Sequence, residues 1–277
     1  MTFLLGALAC KIVFAQSYKL AVARRQDVDW VSLISFAAGA ALIVPLQATR
    51  LRELAGPALW LGLAYGLSGG SAQLFFFRAL FHGEMSVSWT IVQLSTIIPV
   101  AASIVFWHEY PSPLQAVAIV GMVVAILLMG NVEIRLIQEP LAWTGWMALA
   151  FVASGLGGVA MKLLQSQPSR PSEGAFLFFA YLMSVLMTAP LVRGQRPTRA
   201  ALGIGIVRGG AILATNWLVL EALKVLPGYL VFSMYSAGGV TLNVLFAALA
   251  WDERPTRWGY AGIGLAVVSS LVFSLGQ

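Results

Sequence analysis

Two positively charged side chains lie inside long uncharged stretches of this sequence, where a charge is costly unless it has a task. Arg208 lies within the uncharged stretch Ala200–Leu220, and Lys11 lies within the stretch Thr2–Tyr18. Arginine keeps its proton and offers a planar fork that suits carboxylate or phosphate, whereas a buried lysine can release its proton. The pair therefore predicts binding of an anionic group. The structural alternatives are an arginine that snorkels or meets a carbonyl, and a lysine held in a helix contact.

The elements that position these cations are expected to be membrane-spanning helices. Hydrophobic residues make up 59% of the chain and charged residues 10%, far from a soluble composition, so lipid must surround most side chains. Ten predicted helices of about 20 residues account for nearly all of the sequence. The net charge of +6 indicates loop charges that set topology, not a nucleic-acid surface. The single cysteine, Cys10, excludes an internal disulfide and a multi-cysteine metal site.

A repeated segment organises the chain. Trp107–Pro111 recurs as Trp251–Pro255, with tryptophan, glutamate and proline at the same places. A period near half the chain length indicates duplication, so we expect two five-helix repeats, residues 1–139 and 140–277, in one transport domain. Five is odd, and the second repeat therefore starts on the opposite membrane face. The fold prediction is an all-α polytopic membrane protein with ten transmembrane helices in two inverted five-helix repeats.

The charges near helix ends are expected to be structural. Glu109 and Glu253 follow the fourth helix of their repeats, and each is predicted to accept hydrogen bonds at the N-terminus of the next helix, where the dipole favours negative charge. Glu221 and Lys224 are spaced i, i+3 and predict a local ion pair.

Uncharged polar and aromatic side chains extend the candidate site. One polar stripe at helical spacing runs from Trp89 to Thr96, and another from Ser233 to Asn243. In a bilayer such a stripe faces protein or water, with interhelical hydrogen bonding as the structural alternative. The repeat alignment adds positions opposite one another in the two halves: it places Tyr65 over Arg208, Gly66 over Gly209 and Gln73 over Asn216. The predicted substrate-binding residues are Arg208, Lys11, Tyr65, Tyr18, Trp89, Gln93, Gln73, Asn216, Ser233 and Asn243.

With this arrangement the chain resembles the EamA branch of the drug/metabolite transporter superfamily. The residues that carry the resemblance are Ala79-Leu80 leading into Val87–Trp107, Pro99, Glu109, and their partners Ala222-Leu223, Asn243 and Glu253. The resemblance covers the whole chain. It implies a transporter whose central cavity is lined by the first, third, fourth, sixth, eighth and ninth helices, with both termini in the cytoplasm. The loop charges favour the reverse orientation, so orientation stays open. Family substrates range from amino acids and sugars to cations and drugs.

Several absences narrow the function. No acidic residue lies in mid-helix, so an exporter that trades protons for cationic drugs would lack its carboxylate. There is no Walker motif, and His82 and His108 lie at turns, which predicts no ATP, metal or cofactor. The sequence is interpreted as that of a secondary transporter, which carries a small anionic or zwitterionic metabolite by alternating access. Whether it exchanges one substrate for another stays open. A non-transporting membrane protein, either a lipid-modifying enzyme or a scaffold subunit, is the alternative.

An enzyme would need nucleophile, base or metal ligands clustered at one depth, and none is apparent in the sequence. The expected partners are therefore a small-molecule substrate and the lipid bilayer, not nucleic acid. We expect a monomer or homodimer in a bacterial inner membrane.

Overall fold

The computed structural model describes residues 1–47, 56–82, 85–130, 140–169, 172–192, 196–251 and 255–275, and within these ranges the secondary structure is helical. The helices are α1 (Thr2–Ala23), α2 (Val28–Gln47), α3 (Pro57–Leu80), α4 (Met85–Leu94), α5 (Ile97–Trp107), α6 (Pro113–Gly130), α7 (Leu141–Gln165), α8 (Glu173–Thr188), α9 (Arg199–Val225), α10 (Gly228–Ala250) and α11 (Arg257–Leu275). Among the described residues, eight segments are long and apolar enough to cross a membrane. The prediction of an all-α membrane protein is confirmed.

The fourth predicted span ends at Trp107 but consists of two helices, α4 and α5. The ladder breaks at Ser95 and Thr96, between α4 and α5. The cause is Pro99, which has no N–H to donate to Ser95 and whose ring clashes with a helical carbonyl four residues back. The chain tightens instead: the Ser95 N–H donates to the Val92 carbonyl (3.2 Å) and the Ile98 N–H donates to the Ser95 carbonyl (3.0 Å). Counting α4 and α5 as one span gives ten helical segments among the described residues.

The chain forms two compact units that each combine segments from both halves. The first unit comprises Met1–Ser71 and Ala160–Val225. Within it α9 packs against α1 and α2, and α2 also packs against α8. Small side chains allow the close approach at one end, where Ala21, Val31 and Ala201 share a buried cluster.

The second unit comprises Ala72–Val159 and Leu226–Gln277. In this unit α6 packs against α11 and α10, and α5 packs against α10. A buried cluster joins Phe76 near the end of α3 to Trp143 and Met147 at the start of α7. The indole of Trp143 donates to the Ser88 hydroxyl (3.0 Å), so the buried ring nitrogen has a partner.

The Glu109 carboxylate serves a helix N-terminus, although not the one expected. It accepts a hydrogen bond from the N–H of Gly228, the first residue of α10 (2.6 Å). The start of the following helix, α6, carries a capping box instead: the Gln115 N–H donates to the Ser112 hydroxyl, and the Ser112 N–H donates to the Gln115 amide oxygen. A sequence cannot show which helix terminus lies within reach of a loop carboxylate. The repeat partner Glu253 lies outside the described residues.

Candidate functional site in the first unit

Two glycines on α9 set the position of Arg208. A Cβ atom added at Gly209 would lie 2.4 Å from the Ser35 carbonyl oxygen, and one at Gly205 would lie 2.6 Å from a methyl carbon of Ile34. The backbones of α2 and α9 can approach this closely only because both positions lack a side chain. The close approach brings the α2 residue Ser35 beside Arg208, which lies one position before Gly209.

Arg208 is buried, with 4% of its surface exposed. Its Nη1 donates to the Ser35 hydroxyl (3.3 Å), which in turn donates to the Val31 carbonyl (2.6 Å). The guanidinium carbon lies over the ring of Phe14, 4.7 Å from its centroid, and 5.6 Å from the ring centroid of Tyr18. Within the described part of the chain, the buried Nε has no hydrogen-bond acceptor. The cation is therefore held by one neutral hydrogen bond and two aromatic rings.

The face of α1 that meets Arg208 is the one predicted to bind substrate. Lys11, Phe14 and Tyr18 are spaced i, i+3, i+7 and share one side of the helix. Lys11 is buried, with 3% of its surface exposed. The structure thus brings Arg208 to the face of α1 that carries both Tyr18 and Lys11.

Tyr65 and Asn216 belong to a second polar cluster of the same unit. The side chains of Tyr65 and Asn216 are hydrogen-bonded, and the Asn216 amide donates to the Tyr181 hydroxyl (3.0 Å). The rings are packed as well: Tyr65 tilts against Phe176 with centroids 5.3 Å apart. Asn216 lies eight residues after Arg208, about 12 Å further along α9. The repeat alignment placed Tyr65 opposite Arg208, and in the structure Tyr65 bonds this asparagine.

The remaining predicted residues lie in the second unit, where the two polar stripes meet. The Gln93 carbonyl accepts hydrogen bonds from the hydroxyls of Ser236 (2.7 Å) and Thr96 (2.9 Å). The Gln93 side chain is buried, and its Nε2 has no acceptor among the described residues. Ser233 lines a small cavity beside Thr96 and Ser236. The hydrogen bond between Ser236 and Gln93 joins two helices, as expected if these polar stripes serve helix packing and not substrate binding.

The other three predicted residues of the second unit are Trp89, Asn243 and Gln73, and their neighbours are as follows. The rings of Trp89 and Phe76 pack edge to face, with centroids 6.0 Å apart. The Asn243 amide donates to the Gly239 carbonyl (2.8 Å). Gln73 is half-buried on α3.

Sequence reasoning missed three residues around these clusters: Ser35, Phe14 and Tyr181. Phe14 could have been found, because it lies one helical turn from Lys11 on the same face. Ser35 and Tyr181 have no distinctive spacing, and only the packing of their helices shows what they contact.

A buried guanidinium with an unmet N–H can hold a carboxylate or phosphate through charge-assisted hydrogen bonds. Within the described ranges, no group of three or more His, Cys, Asp and Glu side chains lies close enough together to hold a metal ion.

Comparison with known proteins agrees with this architecture. Residues 1–131 match the model of the EamA-like transporter family, which belongs to the drug/metabolite transporter superfamily, so the resemblance predicted from the sequence is confirmed over these residues. One solved crystal structure, described only as that of a protein, matches with a TM-score of 0.77 at 15% identity, over 99% of this chain and 96% of that one. At such identity the likeness concerns the fold alone. No curated protein matches the chain significantly.

Proposed function

We propose that this integral membrane protein, whose residues 1–131 match the model of the EamA-like transporter family, carries a small anionic or zwitterionic metabolite by alternating access. Arg208 is the proposed contact for the negative group, and Lys11 is its proposed neighbour. The family consists of transporters and not of enzymes. The further proposal concerns the substrate class and the residues that bind it.

The observation that carries the proposal is the incomplete hydrogen bonding of Arg208 with the residues that the structure describes. A guanidinium placed at mid-membrane costs about 2.5–3.5 kcal/mol on insertion scales and more in isolation. Against this cost the structure offers one hydrogen bond to Ser35 and the rings of Phe14 and Tyr18. Arg208 forms no ion pair with any residue the structure describes, and its Nε–H lacks an acceptor there. A purely structural arginine would be better satisfied, whereas a binding arginine keeps donors for its ligand.

Paired glycine contacts support the two inverted repeats, residues 1–139 and 140–277. On α9, Gly209 packs on the backbone of α2; on α3, the aligned Gly66 packs on the backbone of α8, where an added Cβ would lie 2.2 Å from the Ala180 carbonyl oxygen. The third helix of each half thus packs against the second helix of the other half. A pseudo-two-fold axis produces this reciprocal packing of equivalent helices. Inverted repeats of this kind provide the two states of alternating access.

The substrate roles predicted for Gln73, Trp89, Gln93, Ser233 and Asn243 remain predictions, as do exchange, a bacterial inner membrane and a monomer or homodimer. Tyr65 and Asn216 lie in the same unit as Arg208. Their hydroxyl and amide groups suit a neutral polar part of the same substrate.

A stability measurement separates a binding arginine from a structural one without knowledge of the substrate. We expect Arg208→Met to melt at the same or a higher temperature than the wild type, because an apolar side chain replaces a buried cation that has no ion-pair partner among the described residues. Ser35 would still donate to the Val31 carbonyl. Arg199→Met, an exposed arginine at the start of the same helix, is the matched control. A melting temperature lowered by Arg208→Met and not by the control would indicate a structural role.

Ligand screening on the same preparation tests the substrate class. The panel should hold carboxylates, sugar phosphates, amino acids, neutral sugars and organic cations. We expect an anionic or zwitterionic compound to raise the melting temperature of the wild type and to have no effect on Arg208→Met. Stabilisation by organic cations alone would contradict the anionic class.

A further inference from the structure

Helix α3 passes from the first compact unit into the second without interruption. It is one continuous helix of 24 residues, and the division between the units falls after Ser71. Around this point, Ser68–Gln73 consists of small and polar residues, with the two glycines Gly69 and Gly70 side by side. Glycine weakens a helix, and Gly and Ser pairs are frequent places of helix bending. The weakest turn of α3 therefore lies where the helix changes unit.

The part of α3 in the first unit packs closely on α8. Gly62, Gly66 and Gly70 follow one another at intervals of four residues, so they share one side of the helix. An added Cβ would lie 2.5 Å from a backbone oxygen of α8 at Gly62 and 2.2 Å from another at Gly66. At Gly70 it would lie 3.0 Å from the Cβ of Met187, also on α8. Close packing of the two helices explains these three glycines.

The part of α3 in the second unit packs on α7 instead. Phe76 and Ala79 share a buried cluster with Trp143 at the start of α7. The ring of Phe75 stacks on that of Trp146, with centroids 5.9 Å apart. Little more than one helical turn separates these contacts from the last contact with α8. On each side of the division, α3 is therefore held by a different helix.

Gly69 differs from its neighbours because packing does not explain it. The residue is exposed, and no atom of another described element lies within 4 Å of an added Cβ. Alanine would fit at this position and would give a more stable helix. A glycine without a close neighbour, two residues before the division between the units, is explained if the helix has to bend there.

We propose that α3 bends at Gly69–Ser71 when the protein changes between the two states of alternating access. A hinge consists of a few residues that absorb a change of backbone angles while the packed segments on either side stay intact. The chain passes between the units at two other places. One is in α7, one residue after the pair Gly157-Gly158, and the other is at the end of α9. The inference rests on the proposed function only for alternating access.

The test measures distances between two spin labels in the detergent-purified chain by double electron–electron resonance, after Cys10→Ser has removed the single cysteine. The labels are attached at Arg24→Cys and Arg257→Cys, two exposed positions, one in each unit. We expect two populations of distances when residue 69 is glycine. Gly69→Ala should reduce the smaller population by about fivefold, because alanine opposes bending of the helix. Gly69→Ser should have an intermediate effect, since the helix propensity of serine lies between those of glycine and alanine.

Two controls accompany the measurement. Gly210→Ala is the matched variant, because an added Cβ at this mid-helix glycine of α9 meets only a methyl carbon, at 3.9 Å, and the residue lies inside the first unit. It should leave both populations unchanged. A second pair of labels, at Arg24→Cys and Arg196→Cys, lies within the first unit and should give one distance in every variant.

A single distance between the labels of the two units, unchanged by Gly69→Ala, would overturn the proposal. Two populations whose ratio is the same with glycine, serine and alanine at position 69 would place the hinge elsewhere. An equal shift in Gly210→Ala would show a general effect of helix propensity and no hinge at Gly69. Gly69→Ser keeps the test decisive if Gly69→Ala does not fold. The measurement needs no substrate, so the bend in α3 and the anion-binding role of Arg208 can each fail while the other stands.

Discussion

A substitution at Gly209 tests the close contact that places Arg208 beside α2. In Gly209→Ala the new Cβ would lie 2.4 Å from the Ser35 carbonyl oxygen and 2.9 Å from the Ala38 Cβ. The obstructing atoms are fixed backbone or sit next to it, so α2 and α9 must separate. Overpacking of this kind costs roughly 1–3 kcal/mol, and the better helix propensity of alanine offsets less than about 1 kcal/mol of it. The separation also lengthens the hydrogen bond between Arg208 and Ser35.

The neighbouring glycine gives a matched control. A Cβ at Gly210 meets only a methyl carbon of Leu42, at 3.9 Å. Gly210→Ala should therefore be neutral or stabilise the fold by up to about 1 kcal/mol. The aligned half of the chain repeats the contrast: Gly66→Ala should be destabilising, because its Cβ would lie 2.2 Å from the Ala180 carbonyl oxygen, whereas Gly69 has no atom within 4 Å of an added Cβ.

The assay is thermal unfolding of the purified variants in one detergent. Gly209→Ala and Gly66→Ala should melt below the wild type by roughly 2–10 °C, and the two control variants should melt at or slightly above it. If Gly209→Ala and Gly210→Ala melt at the same temperature, the reasoning that joins α2 to α9 through these glycines is refuted.

Two further substitutions test hydrogen bonds that cross between helices. Glu109→Gln keeps an oxygen for the Gly228 N–H but loses the charge at the helix dipole, so the free energy of unfolding, measured in chemical denaturation, should fall by about 0.3–1 kcal/mol. Glu109→Ala also loses the accepting oxygen and should lower the free energy of unfolding clearly more. Equal losses of stability in both variants would contradict the capping role. Asn216→Leu removes the amide that bonds Tyr65 and donates to Tyr181, and it should lower the free energy of unfolding by roughly 1–3 kcal/mol. A stability unchanged by Asn216→Leu would show that this cluster contributes little to the fold.

The sequence predicted the helical spans because a bilayer imposes length and composition on each of them. It did not predict the break at Ser95–Thr96, although its cause was visible. Pro99 lies within the predicted span, but a proline in a membrane helix can kink the helix or break it, and neighbouring groups decide between these outcomes. Here the chain closes the gap with tightened backbone bonds and with the hydroxyls of Thr96 and Ser236.

Local spacing also predicted contacts within one helix better than contacts between helices. The i, i+3 pair of Glu221 and Lys224 is confirmed, with 2.8 Å between its charged atoms. The structure adds Glu173 of α8 at 2.7 Å from the same lysine nitrogen, a partner that no spacing in the chain indicates. For the same reason Arg208 could be recognised as an unusual cation, while Ser35 could not be recognised as its partner.

The central claim is that Arg208 binds the anionic group of a transported substrate, and transport by reconstituted protein tests it most directly. Liposomes containing the purified chain should take up the anionic or zwitterionic compound that most raises its melting temperature. We predict that Arg208→Ala lowers this uptake by about 30-fold or more, the loss of at least one charge-assisted contact of about 2 kcal/mol. Arg208→Lys should retain part of the activity, since a point charge replaces a bidentate fork, and Arg199→Ala should transport normally. Uptake by Arg208→Ala at the wild-type rate would contradict the account.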